Sequence, residues 1–231
     1  MILIKNLVKH YGKIIALDEV SVTFDSGKVT AIMGENGAGK STLLKICAGI
    51  LLLEKGEVIV DGVSLTKDSL KVRECIGYLP EMPLMYDRLT GREFLFYIAS
   101  LRKLQTAESR IYDLSVLLGI DRFLDYEIGT YSKGMKQKLS IIAAIMHEPA
   151  NLLLDEPVWG LDPLTSRALR SFITERKGTT VLATHSPQFV EEVASMVYIL
   201  MRGRIVASGA VSEMISKYGS MEEAYFRAGE R

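Results

Sequence analysis

Apolar positions are spaced differently in three successive stretches of the chain. In the first, short runs alternate with turns. "ILIKNLV" and "SVTFDSG" predict strands, the second closing at Ser26-Gly27. "VTAIMG" (29–34) predicts a buried strand, and "STLLKICAGI", from Ser41, has apolar residues at helical spacing. "GEVIVDG" predicts a strand ending in an Asp61-Gly62 turn, and "CIGYLPE" runs up to Pro80 and stops.

Helical spacing takes over from Thr90 to about Met146. Thr90 and Glu93 form a capping box ahead of "TGREFLFYIASLRKL", and Gly119 ends the following helix, "AESRIYDLSVLLG". No convincing strand interrupts this section, which reads as a helical insertion of roughly 60 residues. Strands then return. "NLLLDEP" and "TTVLATHS" are buried strands, and between them Asp162-Pro163 opens "PLTSRALRSFITERKG" with an N-cap and a proline at the first helical position. "YILMRGRIVASG" predicts a hairpin, and Ser220 and Glu223 cap a short final helix. Apolar strands alternating with helices predict an α/β fold with a largely parallel sheet covered on both faces.

Composition narrows the class. The chain has 231 residues, 48% of them apolar, which suits one large α/β domain or one domain with a small appendage. Lys plus Arg (28) balances Asp plus Glu (28), so no generally basic nucleic-acid surface is indicated. Cys47 and Cys75 stand apart without metal-site spacing and are expected to be buried reduced thiols. The N-terminus lacks the features of a signal peptide, and no stretch approaches the ~20 apolar residues of a membrane span. A soluble, cytosolic protein is therefore expected. With Arg231 as the last residue, a regulatory C-terminal domain is not expected.

Chemistry concentrates in a few places. "GENGAGKS" satisfies G-x-x-x-x-G-K-[ST] at Gly34, Gly39, Lys40 and Ser41, a pattern that chance supplies in about one such chain in a hundred. It lies between a predicted strand and a predicted helix, the context that gives it meaning. Glycines let successive backbone N–H groups turn toward phosphates, and the helix N-terminus adds partial positive charge. Lys40 is expected to reach the β- and γ-phosphates of a nucleotide, and Ser41 to ligate Mg²⁺.

"NLLLDE" ends a strand in Asp155-Glu156. Alone, such a pair is usually only a polar strand end. Beside a phosphate loop, Asp155 is placed to hold Mg²⁺ through its water shell and Glu156 to orient or deprotonate an attacking water. His185, in "LATHS", ends a buried strand where ligands of parallel-sheet proteins collect, though an isolated histidine is more often structural. Tyr11, ahead of Gly12, suits core packing or stacking on adenine.

In this order the features resemble the ATP-binding subunit of an ATP-binding-cassette (ABC) transporter, over essentially the whole length of the chain. "IGYLPEMPLMYDRLTGREFL" and "YSKGMKQKLS" look most like the branch that exports drugs, lipids, polysaccharides or ions. The resemblance implies a phosphate loop of Gly34, Glu35, Asn36, Gly37, Ala38, Gly39, Lys40, Ser41 and Thr42. It puts Asp155 at the metal-binding aspartate, Glu156 at the catalytic glutamate, His185 at the switch histidine and Tyr11 at the adenine-stacking position. "GLD" (160–162) falls at the loop that crosses the dimer interface, which places Asp162 among the nucleotide-site residues. "YSKGM" (131–135) occupies the signature, usually written "LSGGQ". Two subunits would then sandwich two ATP molecules head to tail, with Ser132 and Gly134 of one capping the γ-phosphate held by the other.

Three departures stand out. Glu81 takes the place of a glutamine that ligates near Mg²⁺, and a carboxylate there still suits the metal. Trp159 replaces a small polar residue. The signature has Lys133 and Met135 where glycine and glutamine are usual. Ser132 and Gly134 remain, as a helix N-cap and a residue allowing close backbone approach. For Lys133, phosphate electrostatics and a plain surface role both stay open.

The resemblance implies an ATPase with ATP and Mg²⁺ as ligands. It would work as a homodimer or beside a paralogous subunit, and power transport, on this likeness export, through separate membrane-spanning permease subunits. It would sit peripherally at the inner face of the cell membrane without inserting. The helical part, about 82–146, would form a signature subdomain on a core made of about 1–81 and 147–231. Residues Glu81 to Asp87 and the helix after Thr90 are docking candidates, Met82, Met85 and Tyr86 among them, with core packing open for each. An importer subunit, a non-transport ABC ATPase acting on nucleic acid or ribosomes, and a P-loop kinase are the alternatives. Only about 90 residues separate phosphate loop and signature, with no sustained heptads, unlike chromosome-acting relatives.

Overall fold

A computed structural model describes residues 1–230. Strands β1 (Ile2–Tyr11) and β2 (Ile14–Phe24) make a hairpin that β4 (Lys55–Val60) and β5 (Val63–Ser64) extend into a four-stranded antiparallel sheet, ordered β2-β1-β4-β5. A second sheet uses β3 (Val29–Met33), β6 (Ile76–Leu79), β7 (Asn151–Asp155), β8 (Thr179–Thr184), β9 (Met196–Met201) and β10 (Arg204–Ala210). Its order is β10-β9-β3-β8-β7-β6, parallel except for the β9–β10 hairpin at one edge.

Every residue of β7 and β8 is buried, as strands covered on both faces require. Their alternation divides the interior into two clusters. Ile32, Leu153, Val181 and Ala183 face the antiparallel sheet across α1 (Lys40–Cys47), which contributes Leu43, Leu44 and Ile46. Ala31, Met33, Leu152, Leu154 and Leu182 face the other way. There they meet helices α3 (Gly91–Leu101), α5 (Lys133–Ile145), α6 (Pro163–Glu175) and α7 (Pro187–Val193). A period of two along one strand thus serves two separate helix layers.

The helical section matches its sequence signals. Thr90 Oγ1 accepts from Glu93 N (3.1 Å), and Glu93 Oε2 accepts from Thr90 N (2.8 Å), which closes the capping box of α3. Gly119, with φ of 63°, follows α4 (Ala107–Leu117). Short 3₁₀ turns at Asp121–Phe123 and Ile128–Thr130, which the spacing did not foretell, carry the chain to α5. Three short helices also went unforeseen: α2 (Ser69–Glu74), α7 and α8 (Val211–Tyr218). α2 buries only Val72, so it has no periodicity to read. α7 did carry a signal, a Ser186 N-cap followed by Pro187.

Ser220 caps α9 (Met221–Gly229) by accepting from Glu223 N (3.1 Å), while the Glu223 side chain turns instead to Arg227 (3.0 Å). Both cysteines are free. Cys47 is fully buried, and burial pushes its thiol up to about 12. Cys75 is only half-buried, against expectation, because it lies beyond the end of α2. Among the described residues no helix is long and apolar enough to cross a membrane.

Candidate nucleotide site

β3, β7 and β8 end on the same edge of the parallel sheet, and the sequence places a glycine-rich loop, an acidic pair and a histidine just beyond them. The loop leaves β3 at Met33 and re-enters helix at Lys40, with Gly39 as N-cap at φ 110°. A Cβ on Gly39 would lie 2.3 Å from the Ala16 carbonyl oxygen of β2, so only glycine fits this approach. Ala38 O accepts from Gly203 N (3.0 Å), which fastens the loop to the β9–β10 turn.

Lys40 is 6% exposed and donates to Gly34 O (2.7 Å) and Glu35 O (3.0 Å). Burial draws its pKa below the ordinary 10.5, and the carboxylates of Glu156, Asp155 and Glu81 pull the other way. The ammonium is thereby stored against loop carbonyls within reach of the acidic cluster.

Asp155 ends β7, buried, and neither carboxylate oxygen makes a hydrogen bond of good geometry, although the Ser41 hydroxyl lies near enough to favour its charge. Burial raises its pKa from 3.8 to about 6; Ser41 and Lys40 hold it down, and Glu81 and Glu156 push it further up. A buried carboxylate so poorly partnered calls for a cation. Among the described residues no three His, Cys, Asp or Glu side chains converge closely enough to hold a metal alone. Asp155, the Ser41 hydroxyl and nearby Glu81 are oxygen donors of the kind that would hold Mg²⁺.

Above pH 6 the Asp155 charge is a cost to the ligand-free fold. The folded chain keeps a proton that the unfolded chain has lost, so stability falls as pH rises from about 4 through about 6. Asp155→Asn is expected to stabilise the ligand-free protein at pH 7.5 by on the order of 2 kcal/mol, raising Tm by about 4–8 °C. It should also remove the Mg²⁺ dependence of nucleotide binding. Thermal melts with and without Mg²⁺ check both, and an unchanged ligand-free Tm would contradict the assignment.

Glu156 follows at φ 47°, a left-handed conformation that costs a non-glycine residue about 1–3 kcal/mol. The surroundings hold it there. Its N–H donates to Ala183 O (2.9 Å). Oε1 accepts from His185 N (3.0 Å) and Nδ1 (2.7 Å), and Oε2 from Thr184 Oγ1 (3.1 Å). A carboxylate only accepts, so the His185 Nδ1 carries the proton in this contact.

A cleft of about 500 Å³ collects much of this chemistry: Tyr11, Asn36, Gly37, Gly39, Lys40, Ser41, Thr42, Glu81, Asp155 and Glu156. Tyr11 ends β1 at the hairpin, half-exposed, with Ile14 and Ala16 of β2 beside it in the lining. A larger cavity of about 600 Å³ lies on the far side of the loop, against β10 and α9. It takes Glu35 and Ala38 but neither Asp155 nor Glu156, so volume does not mark the site.

The remaining expected residues lie elsewhere. Gly34 supplies its carbonyl to Lys40. Ser132 caps α5, its Oγ accepting from Met135 N (3.2 Å), and Gly134 follows in the first turn; neither lines the cleft of its own chain. Asp162 caps α6 through Thr165 N (2.9 Å) and pairs with Lys138 (2.8 Å). Lys138 and the Thr165 donors hold its carboxyl well below the usual range. Thr184 and Lys138 were missed in the sequence. Thr184 sits beside His185 in "LATHS", whereas nothing local links Lys138 to Asp162.

A strand–loop–helix phosphate cradle, with two carboxylates and a histidine on one sheet edge and a helical signature segment, defines an ATP-binding cassette. The ABC transporter family matches residues 17–159, and the chain belongs to it. The ABC transporter ATP-binding protein NatA of Bacillus subtilis is 36% identical, over 91% of this chain and 88% of its own length. A solved ATP-binding subunit of an ABC transporter superposes with a TM-score of 0.92 at 32% identity, covering 99% of each chain. A bacterial ABC transporter cassette solved as a dimer gives a TM-score of 0.84 at 25% identity, over 91% of this chain and 98% of its own.

Proposed function

We propose that this chain hydrolyses ATP to power a transporter, closing head to tail with a second copy or a paralogous subunit around two ATP molecules. The poorly partnered Asp155 oxygens carry this reading, because they sit at the phosphate cleft beside a Glu156 already held by His185. Loop amides and Lys40 bind the phosphates, Lys40 exchanging its two carbonyl partners for phosphate oxygens. Tyr11 stacks on the base. Ser41, Asp155 and Glu81 would hold Mg²⁺, which would neutralise phosphate charge. Glu156 takes or orients the proton of the attacking water, and His185 fixes the carboxylate.

The first-turn amides of α5 have no partner within the helix. Ser132 and Gly134 stand outside their own chain's cleft, so they reach a γ-phosphate only across a dimer. The dimeric cassette similar to this chain supports that arrangement. ATP then bridges two subunits, and hydrolysis removes the bridge. The segment of about 82–146 serves as the subdomain that carries the signature to the partner.

Separate membrane subunits receive the motion and hold the chain at the inner face of the membrane. Met82, Leu84 and Tyr86 are 70%, 90% and 61% exposed and suit a protein contact. Met85 packs on the core and leaves that set. Export is the direction we assign, on the likeness of "IGYLPEMPLMYDRLTGREFL" and "YSKGMKQKLS" to exporter subunits. Purified protein with Mg²⁺-ATP should release phosphate without any acceptor and copurify with a membrane-spanning subunit. Phosphoryl transfer to a small molecule would overturn the assignment.

A further inference from the structure

Two of the positions noted above as departures from the pattern that the sequence resembles touch each other. Lys133, in the signature turn, places Nζ 2.9 Å from the centroid of the Trp159 ring, in the loop ahead of Gly160. Trp159 is 41% exposed, so core packing does not account for it. The same two segments meet again nearby. A Cβ on Gly134 would lie 2.6 Å from Gly160 O, which makes the glycine a condition of the approach. Gln137 Nε2 donates to Pro157 O (3.4 Å), and Lys138 pairs with Asp162 (2.8 Å). The N-terminal half of α5 and residues 157–162 are therefore joined within one chain along their length.

We propose that Lys133 and Trp159 are a matched pair of positioning residues. Their cation–π contact sets the register between signature turn and interface loop, so that one subunit presents both to its partner as one piece. The proposal rests on the ATP-sandwich reading above. A lysine in place of glycine adds a long flexible side chain at the first residue of α5, and the indole face gives it a fixed seat. Each substitution alone leaves a loose ammonium or an unpartnered ring. Together they restore a defined turn.

The test uses the full chain carrying Glu156→Gln, with ATP-dependent dimerisation measured by analytical ultracentrifugation. Lys133→Met and Trp159→Ser are each expected to weaken the dimer about two- to five-fold, the range of a cation–π contact at an exposed site. The double variant should be no worse than the weaker single. Lys133→Arg and Trp159→Phe should keep the wild-type dimer. A lysine acting directly on phosphate would respond to Lys133→Met but not to Trp159→Ser. Trp159 is the only tryptophan, so its emission reads the contact in the nucleotide-free monomer: Lys133→Met should shift it and Lys133→Arg should not. Additive losses, or emission indifferent to Lys133→Met, would overturn the pair. Ser132→Arg separates the two levels. If it dimerises normally, the sandwich falls and the presenting role with it. If it fails to dimerise while Lys133→Met and Trp159→Ser behave as wild type, the pair alone falls.

Discussion

Glu156→Gln should bind ATP as tightly as the wild type, hydrolyse it about 10²–10⁴-fold more slowly, and accumulate as an ATP-dependent dimer. The amide has the shape of the carboxylate, so the φ of 47° and an oxygen for His185 are kept. What it loses is the basicity that takes a proton from water. Binding is expected to survive because the phosphate contacts assigned to Lys40 and the loop amides make no hydrogen bond to Glu156, whose charge acts on Lys40 only through space. Once hydrolysis stops, the ATP bridge between subunits persists. Single-turnover assays with gel filtration read both effects, and wild-type turnover in this variant would remove Glu156 from its role.

Ser132→Arg should leave ATP affinity of the single subunit unchanged and abolish dimerisation, with turnover falling alongside. The serine accepts from Met135 N and leaves the first turn of α5 open toward an anion. Arginine fills that space and sets a cation at the positive end of the helix. Because Ser132 lies outside its own chain's cleft, nucleotide binding by one subunit is not touched. Ser132→Ala is the control for folding, since it loses only the cap, about 1 kcal/mol. If Ser132→Arg still forms the ATP dimer with undiminished turnover, the signature turn is not a contact in trans.

How far the site could be read from sequence depends on how local each signal is. The phosphate loop, the Thr90–Glu93 capping box and the caps at Ser132 and Asp162 are complete within a few residues, and all four appear at those positions. Glu156 and His185 could be placed only at strand ends; their 2.7 Å contact depends on β7 and β8 being neighbours. α2 and α8 were lost because each fully buries a single apolar residue, Val72 and Val211, too few for a stripe, whereas α7 did carry its start in Ser186-Pro187.

The chain by itself determined the phosphate loop, the buried strands, the helix caps and the separation into strand-rich and helical parts. Dihedral preference, side-chain period and capping chemistry act over one or two turns, and each is written in consecutive residues. Tertiary structure alone decided the strand order β10-β9-β3-β8-β7-β6, and with it the cleft that brings Tyr11, Lys40, Glu81 and Asp155 together. It also seated Lys133 on Trp159, two residues that looked like unrelated departures when read in line. Contacts between segments 26 or 144 residues apart are selected by how two sheets and their helices share one interior, a global packing condition that no local stretch encodes.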